Sequence, residues 1–295
     1  MRLKLNTFLI FTLFSLITVN QLIAAERQPS FIQKVLVNSP LSKNDTRYDY
    51  PKRLLQRVLT VTQKEYGAAE AINNQNPMKR TRALKELIRG KNLHVMAEAP
   101  KPEWTSKVLS IRIPIRKGIQ GYRLFLIKKQ TQTILNNISS FEEFKSIPTG
   151  SGDQWSTTKV LEENKFNVIK GTNYEGLFTM LMLNRFSTFG RGINEAFSEF
   201  DQHSKKYPDL AIDNKFALFI PLPTYFFVSP TKIKLRDRIE KGLTKLINSG
   251  EFDKIFQEEF GDIIKKANLA ARKIYRIPNS NLSVQDPVGI KEYWY

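Results

Sequence analysis

No cysteine occurs among the 295 residues, and histidine appears only twice. The first absence excludes disulfides, thiol catalysis, a lipid-modified N-terminal cysteine and thiolate metal sites. The second leaves His94 and His203 on separate predicted elements with no His-Glu-x-x-His spacing, so a histidine metal centre is not expected. A phosphate-binding glycine loop, the dinucleotide glycine pattern and a Gly-x-Ser-x-Gly elbow are also missing, which removes support for nucleotide, nicotinamide and serine-hydrolase chemistry. Glu195 and Glu199 stand one helical turn apart. That is the spacing of ion-pairing residues on a surface helix rather than of carboxylates flanking a glycosidic bond. The chain therefore reads as a non-enzyme without cofactor or metal, a carboxylate-dependent cell-wall hydrolase being the remote alternative.

Long apolar runs are scarce too. The run from Phe8 to Val19 is about a dozen residues, short of the roughly 20 that a spanning helix needs. It follows Arg2 and Lys4 and closes on Ala24 and Ala25, the three-part order of an export signal. Cleavage after Ala25 would release residues 1–25 and place the remainder in the periplasm. Acids are outnumbered, with 46 Lys and Arg against 28 Asp and Glu, and the net charge of +18 falls by two when Arg2 and Lys4 are removed. Such a field favours anionic partners. Nucleic acid is not expected as one, because an exported chain seldom meets it and no helix-turn-helix or zinc-finger pattern is present.

What is present is an alternation of strand and helix. Phe31–Asn38, Ala68–Asn73 and Leu93–Ala97 read as strands separated by helices at 49–66 and 78–89. The same order resumes with strands at 122–127, 167–169, 216–220 and 225–228 and helices at 154–164, 174–183, 193–205, 235–247 and 252–260. The pitch predicts an α/β fold with parallel sheets. Two Pro- and Gly-marked extended passages, Ile113–Gly121 and Ile220–Tyr225, bracket the middle unit. They suggest a lobe inserted into another, with the passages as a two-stranded hinge: lobe 1 at 26–117, lobe 2 at 118–220, and the rest of lobe 1 with a C-terminal tail at 221–295.

At this point the residues resemble a known family. Gly150-Ser-Gly-Asp-Gln-Trp155 before a helix, Phe166-Asn-Val-Ile169, Tyr174-Glu-Gly-Leu-Phe-Thr-Met180 and Ala217-Leu-Phe-Ile-Pro-Leu-Pro-Thr-Tyr-Phe-Phe-Val-Ser229 are similar to the second lobe of periplasmic solute-binding proteins of the amino-acid-binding (family 3) type. The Ser249-Gly-Glu-Phe-Asp-Lys-Ile-Phe256 ending is the most specific match. The resemblance implies a two-lobed type II clamshell. It would act as a monomer that closes on a small-molecule solute and presents the closed form to a membrane permease of an ABC transporter, or alternatively to a signalling receptor.

Two family contacts are not visible. Trp104 stands near the position of the family's carboxylate-binding Arg, and Ser187 and Arg191 occupy the region of its ammonium-binding acid. An unpaired buried charge costs several kcal/mol or more, so an ordinary α-amino acid fits poorly. Arg112 and Arg191 could instead converge on an acidic or phosphate-like solute. Ser151, Gly152 and Asp153, read as a small-residue helix N-terminus, offer an anion-friendly corner. Trp104, Tyr122 and Trp155 are candidates for an aromatic wall, and the resemblance adds Asn173 and Tyr174 at the start of a further helix facing the cleft.

Overall fold

The computed structural model describes residues 32–40 and 47–295; the expected export segment, 1–25, lies outside them. Among the described residues the strands are, in chain order, β1 Gln33–Val37, β2 Ala69–Asn73, β3 Val95–Glu98, β4 Leu109–Ile111, β5 Tyr122–Lys128, β6 Thr149–Gly152, β7 Val168–Gly171, β8 Thr188–Gly192, β9 Leu210–Ile212, β10 Phe216–Phe219, β11 Tyr225–Val228 and β12 Lys273–Arg276. The helices of eight residues or more are α1 Asp49–Val61, α2 Arg80–Arg89, α3 Ser156–Glu163, α4 Tyr174–Met182, α5 Ile193–His203, α6 Ile233–Asn248 and α7 Glu251–Ala267.

The strands form two sheets. The first runs β2-β1-β3-β11-β4, and the second runs β12-β10-β5-β8-β6-β7 with β9 also paired to β5. Val35, Val37 and Val95 bury their side chains against a stripe of α1 made by Leu54, Leu55, Val58 and Leu59, the 3.6-residue spacing that turns one helix face to a sheet. The second sheet has a core on each face. Phe125, Phe144, Val160, Phe166 and Phe216 fill one, and Phe178, Leu181, Phe186 and Phe189 fill the other.

The expected helix over 49–66 breaks at Thr62. Its hydroxyl bonds back to the Val58 and Leu59 carbonyls and also receives Nε of the buried Arg238. The expected cap loop at 150–152 is strand β6 instead. Gly150, Ser151 and Gly152 pair in parallel with Ile169, Lys170 and Gly171, so backbone groups foreseen for an anion belong to the sheet. The third difference concerns the C-terminal part of the chain, expected with the first lobe and a tail. Its strand β12 adds to the second sheet, pairing in parallel along Phe216–Phe219.

The two extended passages lie side by side. Ile115 N–H donates to the Thr224 carbonyl at 2.9 Å, and Ile220 N–H donates to the Gly121 carbonyl at 3.0 Å. A Cβ at position 121 would collide with the Ile220 carbonyl, so glycine permits this approach. The β4–β5 and β10–β11 connections therefore run as one paired hinge, and the chain crosses between the sheets a third time from β11 through α6 and α7 to β12. Across it α5 packs on α7, with Ile193, Ala196 and Phe197 in the same apolar cluster as Phe256, Phe260 and Ile264.

Candidate functional site

A cleft of about 860 Å³ opens above the hinge, between elements of the two sheets. From the first come the start of α1 with Tyr50 and Arg53, Arg80 of α2, and Glu98 at the end of β3. The crossovers supply Arg116, Gln120, Leu222 and Thr224, and α7 supplies Glu259 and Phe260. The second contributes Arg123, Trp155, Ser156, Thr157, Tyr174 and Arg191, with Asn194, Glu195 and Glu199 from α5.

Charge of both signs is concentrated here. Arg191 grips Glu199 in bidentate fashion, Nε and Nη2 each 2.6 Å from a carboxylate oxygen, and Nη2 stands 3.2 Å from Glu195. Its guanidinium lies 4.4 Å from the centre of the Trp155 ring. Burial alone would lower the Arg191 pKa, but Glu195 and Glu199 reverse this and leave it raised. Burial would likewise raise Glu195. Arg191, Arg123 and Arg116 together overcome that and hold the carboxyl below its ordinary value. Arg123 donates to the Gln120 carbonyl at 3.1 Å and the Gly190 carbonyl at 2.7 Å, and burial pushes its pKa down to about 10.

On the opposite wall Arg80 Nε donates to Glu98 at 2.7 Å, and Arg53 pairs with Glu259. Tyr50 donates its hydroxyl to the Ile115 carbonyl at 2.7 Å, and burial holds its pKa well above the usual phenol range. Four buried polar atoms of the lining have no partner among the described residues: Arg116 Nε, Ser156 Oγ, Asn194 Oδ1 and Thr224 Oγ1. Unpaired buried polar groups are uncommon, and four among the residues of one cavity lining leave donors and acceptors that a guest could satisfy once the lining shifts to meet it.

Of the ten residues named from sequence, Trp155, Tyr174 and Arg191 stand in the cleft lining. The other seven candidates lie elsewhere. Arg112 binds the C-terminal segment, its Nη1 2.8 Å from Asp286 and its Nη2 3.0 Å from Gln285. Trp104 packs on Phe227 in the first lobe's core, and Tyr122 is buried against Phe219. Ser151 is buried and bonded to Thr158, while Gly152 lies under the Trp155 ring. Asp153 is exposed and accepts from Gln154, and Asn173 caps α4 by accepting from Gly176 N–H. Glu195 and Glu199, read as surface ion-pairing residues, are instead on the cleft wall, with Glu199 buried.

The lining residues missed from sequence include Arg116, Arg123 and Glu98. A signal for them was available: Arg123 interrupts the apolar run Tyr122–Ile127, and Arg116 interrupts an apolar hinge. Charges inside otherwise buried segments need a specific partner.

No protein-family model matches the sequence, and no curated protein matches it. Solved structures do match in shape. A periplasmic binding protein of the third arginine transport system of Legionella pneumophila superposes with a TM-score of 0.55 at 13% identity, covering 78% of this chain and 100% of its own. An ancestral arginine-binding protein bound to glutamine gives 0.54 at 17%, with coverages of 79% and 100%. A Streptococcus mutans protein of glutathione import gives 0.54 at 14%, with coverages of 78% and 96%. At such identities the likeness is one of fold. With two sheets, a paired hinge and a cleft above it, this chain has the two-lobed type II fold of periplasmic binding proteins.

Proposed function

We propose that this chain is a non-catalytic binding protein that holds one small polar solute in the interlobe cleft and, closed around it, delivers it to a membrane transporter. The observation that carries the reading is the set of four unpartnered buried polar atoms around one cavity: Arg116 and Thr224 on the hinge, Ser156 and Asn194 on the second lobe. A solute touching both sides stabilises the closed arrangement relative to an open one. Glu195 and Glu199 do not suit general-acid work, since Glu195 is held ionised and Glu199 is gripped by Arg191. Among the described residues no helix is long and apolar enough to cross a membrane, compatible with a protein that moves between solute and membrane partner.

An acidic solute was expected to meet Arg112 and Arg191. Arg112 is engaged by Asp286 and Arg191 by Glu199, and the lining as a whole carries six arginines and six acids. The basic excess of the chain is thus not gathered in the cleft. A polar solute with its own hydrogen-bonding groups fits this lining better than a bare multivalent anion.

Native mass spectrometry of the protein, purified without denaturation and then exposed to a metabolite extract, tests the reading. One small molecule should be retained per chain, and it should be lost when Ser156 and Asn194 are replaced by alanine. A chain that retains nothing, or retains as much after those replacements, is not a solute carrier through this cleft.

A further inference from the structure

We propose that the hinge floor of the cleft, which Arg116 and Thr224 line from the two crossovers, is an anion subsite that takes a carboxylate or phosphate group of the solute. This rests on the solute-binding reading and says which part of the solute goes where.

Charge pairing in the cleft singles out Arg116. Arg53 is matched with Glu259, Arg80 with Glu98 and Arg191 with Glu199, and Glu195 lies 4.0 Å from Arg123. Arg116, only 9% exposed, has no carboxylate within ion-pairing distance among the described residues. Nη2 donates to the Arg47 carbonyl at 2.6 Å, and Nε has no acceptor. The acids that act on it at longer range, Glu195, Glu259 and Glu98, are those already facing other arginines. Burial presses its pKa below the ordinary value, as for a cation with incomplete compensation.

A guanidinium kept out of water with an N–H unmatched is costly, and an incoming anion offsets that cost with charge-assisted bonds. A second donor lines the same cleft from the other crossover. Thr224 is 4% exposed with its hydroxyl unpartnered, and its carbonyl receives Ile115 N–H, which fixes it beside residue 116. Because both groups belong to the hinge, an anion bound there would join the two crossovers below the moving lobes. Specificity for an acidic group would then come from the hinge, with Ser156 and Asn194 left to read the remainder of the solute.

The test follows arginine Nε–H signals by nitrogen-edited NMR while succinate and, separately, inorganic phosphate are added to the purified protein. Arg116 Nε–H, assigned by its absence in R116K, should shift saturably with one of the two, which tells a carboxylate site from a phosphate site. That anion should bind about tenfold more weakly to R116K and several-fold more weakly to T224V, with R112Q unchanged. If neither anion moves the Arg116 signal, the subsite is refuted. If the solute retained in mass spectrometry binds wild type and R116K alike, the subsite is refuted while the cleft remains the binding site. Retention of no solute at all overturns the solute-binding reading itself.

Discussion

Arg238 is 1% exposed and meets no carboxylate among the described residues; its guanidinium instead gathers the Thr62 hydroxyl and the carbonyls of Leu59, Tyr66 and Gly67, where α1 breaks before β2. It therefore supplies donors to carbonyls at the end of α1 and at the close of the turn that follows. Replacing it with methionine keeps the volume but strands those acceptors, and the expected loss is on the order of 3 kcal/mol, read from denaturant unfolding. A loss below about 1 kcal/mol would mean that water satisfies the carbonyls instead. The two histidines make a different prediction. His203 is buried and stacked 3.6 Å from the Phe178 ring centre, and His94 Nδ1 accepts Leu36 N–H at 3.1 Å. Burial is the first cause that lowers both pKa values from 6.5, so each folded imidazole stays neutral where the unfolded one already takes a proton. Stability is then complete above about pH 6.5 and falls as the solution is acidified through the lowered folded values. Thermal unfolding scanned from pH 7.5 to 5 should show this limb, flattened in H203F; an unchanged slope in that variant would remove His203 as its source.

At the scale of elements, α5 carries Glu195 and Glu199 one turn apart and presents both to arginines on the second sheet. Removing the Glu199 carboxylate should leave Arg191 buried beside Trp155 with a weakened counter-charge. We expect E199A to lose about 3–5 kcal/mol and the double variant E199L/R191L to recover much of it, because a buried pair is worth less than the penalty for breaking it. A double-mutant cycle by chemical denaturation measures this, and simple additivity would refute the coupling. This helix also explains what could be read from sequence. Strand–helix alternation and the hinge passages were legible because apolar periodicity and Pro/Gly punctuation are local. Trp155, Tyr174 and Arg191 were legible because motif resemblance placed them. The partner of each charge was not, since Glu199 spaced from Glu195 looks the same on a solvated helix as on a cleft wall. Strand β6 was misread as a cap because Gly150-Ser-Gly152 favours a turn locally, and its pairing with β7 is a tertiary contact. Strand β12 was missed for the same reason: Lys273–Arg276 has no clear alternation, and its place is set by the free edge of β10.

For the whole molecule, the segment after β12 ties the lobes and the hinge together. Asn279 donates to the Pro221 carbonyl at 2.8 Å on one crossover, and Tyr295 N–H donates to the Lys117 carbonyl at 2.8 Å on the other. Asp286 accepts from Arg112 at 2.8 Å and from Tyr225 at 2.9 Å on the first-lobe side, while Asn164 of the second lobe donates to the Pro278 carbonyl at 3.2 Å. Trp294 lies against Gly118, where the backbone has the left-handed φ of +69° and a side chain would also collide with the indole. If opening separates its anchors on the two lobes, such a segment favours the closed population by whatever contacts opening breaks. Deleting residues 278–295 should accordingly lower the unfolding temperature and raise the radius of gyration seen by small-angle scattering. W294A should move both in the same direction by a smaller amount, through loss of its packing on Gly118 and Phe219. Solute added to the deletion variant should then produce a larger compaction than in the intact chain, because more of the population starts open. An unchanged radius with a lowered unfolding temperature would make the segment a stabilising patch with no hold on the hinge.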